Sequence, residues 1–206
     1  MCELCYADLP FSGLACPQCS EPIIHEGRCG RCQKAPPNYD YSYCALAYQA
    51  PMNIWLRQCK DRGKTHHIRF FAQLMLQSAP PWVITPDVIV SIPALQRRLF
   101  TRGFNLSDEL AKIISNHYQR PHLRRALSKE SKRDQRQLNA QQRKYGDVGL
   151  VLGPQSLEGK HVLIIDDVMT TGATLDQAAR LLKNSGALTV GGWCLARTLK
   201  ANTRFI

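Results

Sequence analysis

No apolar run in the 206-residue sequence approaches the roughly 18 to 20 residues that a membrane-spanning helix needs. The N-terminus, Met1-Cys2-Glu3-Leu4-Cys5, lacks both the basic and the apolar region of a secretory leader. The expectation is a cytoplasmic protein without membrane insertion. A G-x-x-x-x-G-K-[ST] loop is also missing, which excludes nucleotide binding of the P-loop kind. Acidic residues are few, 16 against 27 Lys and Arg, and the formal net charge is +11. An excess of that size favours polyanionic partners, either nucleic acid or a phosphorylated small molecule. Intrinsic disorder throughout is excluded, because 44% of the residues are hydrophobic. The length suits one medium domain with a small appendage.

Six of the nine cysteines fall in the first 32 residues as three Cys-x-x-Cys pairs: Cys2/Cys5, Cys16/Cys19 and Cys29/Cys32. Three repeats of one gap, with no leader, point to metal ligation over disulfides. A structural zinc site takes four thiolates from two such knuckles. Cys16, Cys19, Cys29 and Cys32 make the most compact set, with Cys2 and Cys5 as the alternative pair and His25 as either a spare ligand or a surface residue. Cys44, Cys59 and Cys194 are expected to pack as small hydrophobes. Ala35-Pro36-Pro37 reads as a boundary, so residues 1–36 are taken as a zinc-ribbon module and 37–206 as the main domain.

The main domain alternates strand-like and helix-like segments. Tyr43–Gln49, Asp87–Ile92, His161–Asp166 and Leu188–Ala196 read as strands. Met52–Lys60, His67–Gln77, a segment carrying Leu106, Leu110, Ile113 and Ile114, and Ala173–Asn184 read as helices, with Asn105 or Ser107 as a cap and Gly186 as a stop. Strand, crossover helix and strand form the parallel α/β signature. The basic charge is clustered. Arg120–Lys144 holds nine Lys or Arg against two acids, and further groups lie at Arg57–Arg69 and at Arg97, Arg98 and Arg102. Each cluster is either a polyanion surface or an ordinary solvated face. Ser128–Tyr145 is left open between a loop and a polar helix.

The segment Val162-Leu163-Ile164-Ile165-Asp166-Asp167-Val168-Met169-Thr170-Thr171-Gly172-Ala173-Thr174 carries the most chemistry. A buried strand delivers two carboxylates where parallel sheets place their ligands, and a loop of small and hydroxylated residues leads into a helix. Such a loop turns N–H groups and hydroxyls around a phosphate at a helix N-terminus. The carboxylates suit a ribose diol or Mg²⁺. Together these describe a ribose 5-phosphate site.

This run resembles the 5-phosphoribosyl-1-pyrophosphate (PRPP) motif of type I phosphoribosyltransferases, hydrophobics followed by D-D-x-x-T-T-G-x-T. The resemblance implies that Asp166 and Asp167 meet the ribose hydroxyls and that Thr170, Thr171, Gly172, Ala173 and Thr174 cradle the 5-phosphate. Ser91, Pro93, Ala94 and Leu95 stand where such enzymes hold pyrophosphate, with Mg²⁺ accompanying the PRPP. Arg102-Gly103-Phe104-Asn105-Leu106-Ser107, the Cys-x-x-Cys pairs and a loose Gln58–Lys64 motif together resemble the ComF family of competence proteins. That likeness implies a type I phosphoribosyltransferase-like parallel sheet flanked by helices, with a small N-terminal zinc ribbon of four cysteines. It also implies a cytoplasmic role in DNA uptake, with single-stranded DNA as partner and a DNA-uptake helicase and recombination proteins as further partners. Arg98, Arg102, Lys132, Arg133, Arg136 and Arg143 are the expected DNA or phosphate contacts. Tyr39, Tyr41, Trp55 and Tyr145 are read as either stacking platforms or core. Family members often have four Cys-x-x-Cys pairs, so the orphan Cys2/Cys5 pair leaves open a start codon further upstream. Gln135, Leu138 and Arg143 fit the family's central segment, whereas Asn139 and Gly146 depart from it. The alternative to a DNA-handling role is an active phosphoribosyltransferase making a nucleotide from PRPP and a nucleobase.

Overall fold

The computed structural model describes residues 2–79, 85–129 and 149–199. Two short helices, α1 (Glu3–Ala7) and α2 (Gly30–Lys34), lie in the cysteine-rich start. The chain continues through β1 (Tyr41–Ala47), α3 (Met52–Arg62), α4 (His67–Gln77), β2 (Val88–Ser91), α5 (Gln96–Arg102) and α6 (Leu106–Tyr118). It ends with β3 (Leu127–Lys129), β4 (Leu150–Leu152), β5 (His161–Met169), α7 (Ala173–Asn184) and β6 (Thr189–Arg197).

Four strands form one sheet in the order β1-β6-β5-β2, every neighbouring pair parallel, while β3 and β4 pair antiparallel beside it. Strands covered on both faces read as unbroken apolar runs, and β2 and the first half of β5 do so. Leu163 and Ile165 of β5 join the cluster built by α3, α4 and α6, whereas Val162 and Ile164 join the cluster built by α7 and the β3–β4 pair. The covering helices bury residues at helical spacing. Ile68, Phe71, Ala72 and Met75 do so in α4, Leu106, Leu110, Ala111 and Ile114 in α6, and Leu175, Ala178, Ala179 and Leu182 in α7. Removing one such side chain, for example by Leu110→Ala, costs about 2 to 5 kcal/mol. Close approach of α7 to the sheet depends on Gly192, where an added Cβ would run into a methyl group of Leu175.

Several sequence expectations shift. Helices α4 and α7 keep their expected ends, but β1 begins and ends two residues early, in register with β6 from Tyr41↔Gly191 onward. Strand β5 does not stop at Asp166. Pairing with β6 carries it to Met169↔Arg197, so both carboxylates lie within the strand. Lys129, inside the segment left open between loop and helix, closes a strand.

Both sheet edges are covered. Along β1 the N-terminal segment donates Ser12 N to Ala45 O at 3.0 Å, accepts Ala47 N at Pro10 O at 2.7 Å, and accepts Ser42 N at Pro17 O at 3.0 Å. Along β2, Ile89 N donates to Pro121 O at 2.9 Å and Leu123 N to Ile89 O at 2.8 Å. Arg197, 2% exposed, ties β6 to the cysteine-rich segment through a 2.6 Å ion pair with Glu21. Cys44, Cys59 and Cys194 are all buried in the main core. No helix among the described residues is long and apolar enough to cross a membrane.

Candidate functional site

Cys16, Cys19, Cys29 and Cys32 turn their Sγ atoms to one point, all within 4.8 Å of one another. Cys19 Sγ and Cys29 Sγ stand 3.6 Å apart, and thiolates around a tetrahedral zinc with bonds of about 2.3 Å lie roughly 3.8 Å apart. The set therefore fits zinc. Burial pushes the Cys16 thiol up, but the N–H groups of Cys29, Cys19 and Gln18 outweigh it and bring the thiol down to about 7, which favours the metal-binding thiolate. Cys29 N donates to Cys16 Sγ at 3.3 Å. Cys2 and Cys5 are exposed and outside this cluster, as is His25.

The acid pair of β5 is held by two helices of the same covering layer. Ser107 Oγ, in the first turn of α6, donates to Asp166 Oδ1 at 2.9 Å, and Asp167 N donates to the same oxygen at 2.9 Å. Lys60 Nζ, from α3, pairs with Asp167 Oδ1 at 2.7 Å, the two side chains being 22% and 18% exposed. Burial, with the charge of Asp167 next, pushes Asp166 up to about 7. A carboxyl near half-protonation both donates and accepts, which suits a pair of hydroxyls.

These groups border a cavity of 210 Å³, whose other walls include Pro93, Ala94 and Leu95, Arg98 and Arg102, Phe104 and Asn105, Lys129, and Thr174. Pro93, Ala94 and Leu95 of the expected pyrophosphate loop thus line it, whereas Ser91 anchors the loop from beneath. Ser91 Oγ donates to Asp108 Oδ1 at 3.1 Å and lies 3.2 Å from His122 Nε2, and Arg124 clamps Asp108 through Nε and Nη2. Burial holds His122 below the usual imidazole range. Asn105 Nδ2 fixes the far side of the loop by donating to Ile92 O at 2.9 Å.

Of the expected phosphate cradle, Thr174 reaches the cavity wall, Thr170, Thr171 and Ala173 are exposed, and Gly172 is buried. Gly172 caps α7 in the left-handed region, φ +84°. Thr171 Oγ1 accepts Ala173 N at 3.3 Å, and no side chain caps the helix at Gly172. The N-terminus of a twelve-residue helix thus faces the loop with its dipole. Arg98 and Arg102 line the cavity, Arg102 also meeting Asp61 at 2.9 Å. Lys132, Arg133, Arg136, Arg143 and Tyr145 lie outside the described residues, as do Gln135, Leu138, Asn139 and Gly146. Tyr39 is 2% exposed and part of the core, which removes it as a stacking platform. Trp55 packs edge-on to Phe70 and against His67, and Tyr41 is half-buried on the core.

Sequence reasoning misses Lys60 and Ser107 as site residues. In the sequence Ser107 reads as a helix cap and as the last residue of the Arg102–Ser107 motif, and Lys60 as one of a basic group. The one signal for Lys60 is its place in the Gln58–Lys64 motif.

A parallel sheet that carries an acid pair and a helix-capping loop to a cation-lined cavity defines a phosphoribosyltransferase-type domain, and residues 66–203 match the phosphoribosyl transferase domain family. The chain is 32% identical over 206 residues to the DNA utilization protein YhgH of Salmonella typhimurium, covering 97% of this chain and 91% of that protein. It is 27% identical over 192 residues to competence protein F of Haemophilus influenzae (88% and 84% covered) and 28% identical over 209 residues to competence protein ComFC of Bacillus subtilis (96% and 84%). The chain belongs to the ComF family.

Proposed function

We propose that this protein binds PRPP or a related ribose phosphate in the β5–α7 cavity and handles single-stranded DNA in the cytoplasm during DNA uptake. The cavity carries the first half of the reading. The Asp166–Ser107 and Asp167–Lys60 pairs present oxygens for a ribose, and Arg98, Arg102, Lys129 and the α7 N-terminus surround them with positive charge. Asp166 and Asp167 are also the oxygen donors available to Mg²⁺, which prefers such ligands and, when bound, neutralises a pyrophosphate. The names of the relatives, DNA utilization and competence, support the second half. So does the positive charge, much of it in residues 120–144. Uptake helicases and recombination proteins are the partners this role brings. The cysteine cluster serves as a structural zinc site.

The test is calorimetric titration of PRPP with Mg²⁺, with and without an oligothymidylate. Saturable binding that disappears in the Asp166→Asn, Asp167→Asn double variant is expected. Absent binding, or binding indifferent to those substitutions, overturns the ribose-phosphate reading. Pyrophosphate release measured with each nucleobase separates binding from turnover.

A further inference from the structure

Helix α5 has no buried residue. It stands at the rim of the cavity with three arginines and no acid in seven residues. Its arginines divide between two faces. Arg98 and Arg102, four apart, share the face that lines the cavity. Arg97 and Phe100, three apart, share a face turned about 150° away. Phe100 is 88% exposed, the most of the exposed large hydrophobic side chains among the described residues. Neither Arg97 nor Arg98 forms an ion pair among the described residues.

An aromatic ring held in water beside Arg97, an arginine without an ion pair among the described residues, suits an occupant that is both flat and anionic. A protein partner would need several hundred Å² of complementary surface on this side, and α5 offers only two exposed apolar side chains, Phe100 and Leu99, the second 38% exposed. A nucleotide needs only a π-face for its base and a cation for its phosphate. We propose that the Arg97–Phe100 face of α5 is a base-stacking platform for single-stranded nucleic acid, which sets the strand along the rim of the ribose-phosphate cavity. The inference rests on the single-strand reading above and names where the strand is gripped. None of the four aromatics considered from the sequence is this residue. The face lies outside the cavity, so strand and ribose phosphate bind side by side without competing for Phe100.

The test is fluorescence anisotropy of a labelled oligothymidylate with the full, zinc-loaded chain. Stacking on one base is worth at least about 1 kcal/mol, or fivefold, so Phe100→Ala should weaken binding at least about fivefold with no change in melting temperature. Phe100→Trp should restore affinity and add indole emission that quenches on binding, above the background of Trp55, Trp82 and Trp193. Arg97→Gln should reduce the slope of log affinity against log salt by about one contact. If the wild-type chain binds the strand and Phe100→Ala binds as well as wild type, the platform is overturned and the DNA reading stands. If the wild-type chain binds no single strand, both fall.

Discussion

The phenol of Tyr39 closes against Gly172 so tightly that a methyl group on the glycine would stand 3.0 Å from the Tyr39 hydroxyl and 2.9 Å from Met169 Cε. Tyr39 is itself fastened to the cysteine knuckle, since Gln18 Nε2 donates to its carbonyl at 3.3 Å. The preceding Asn38 grips Asp176 in the first turn of α7 through its backbone N at 2.6 Å and Nδ2 at 2.9 Å. The loop that leads into α7 is thus braced by residues that follow directly on the cysteine-rich segment.

Gly172→Ala tests that brace. The left-handed backbone alone costs a residue with a Cβ roughly 1 to 2 kcal/mol, and the contacts with Tyr39 and Met169 add to it. The expected result is a melting temperature lower by several degrees and binding of PRPP with Mg²⁺ weakened at least tenfold, by thermal denaturation and calorimetry.

Lys60→Met keeps the aliphatic stem and removes the charge beside Asp167. The pair is partly solvated, so stability should change by only about 1 kcal/mol. Affinity for PRPP should fall about tenfold, since the cavity loses a cation where phosphate enters. Unchanged affinity in the same titration would reduce Lys60 to a surface ion pair.

Zinc content gives a separate reading of the thiol cluster. Purified protein should carry one equivalent by atomic emission. Cys19→Ser should lose it and melt at a much lower temperature, while Cys2→Ser with Cys5→Ser should retain the full equivalent.

The raised Asp166 has a definite sign in a pH series. Its folded-state value is about 7 against 3.8 for the free group, so the folded chain holds a proton that the unfolded chain has released. Its contribution to stability is complete below the free value and is lost as pH rises through about 7. Between pH 6 and 8 in magnesium-free buffer, the wild type should lose about 1 kcal/mol that Asp166→Asn does not lose. Equal slopes in chemical denaturation would exclude the shift.

What can be read in advance follows burial. Helices α4 and α7 carry apolar residues at helical spacing, and β2 and β5 are apolar runs, so each announces itself. Helix α5 buries nothing and therefore leaves no periodic trace, although it supplies Arg98, Arg102 and the exposed Phe100. Strand β5 runs past its expected end because two aspartates resemble a strand end in sequence, whereas pairing with β6 overrides that local preference. The acid pair and its loop are legible from composition along one segment. Its partners are not, because Lys60 and Ser107 come from 107 and 59 positions away in the chain and meet it only through packing.

The hydrogen bonds that the Pro10 and Pro17 carbonyls accept from β1, and that Ser12 N donates to it, give the cysteine-rich segment a second consequence, a protective one. An open strand edge is a template on which other chains can assemble. At β1 that template is masked by a segment that zinc, once bound by the four thiols, would hold in shape. Loss of the metal would therefore unveil a ready strand border while the central sheet is still formed. The failure to expect of a metal-stripped protein is self-association along β1, visible as early light scattering before the core melts.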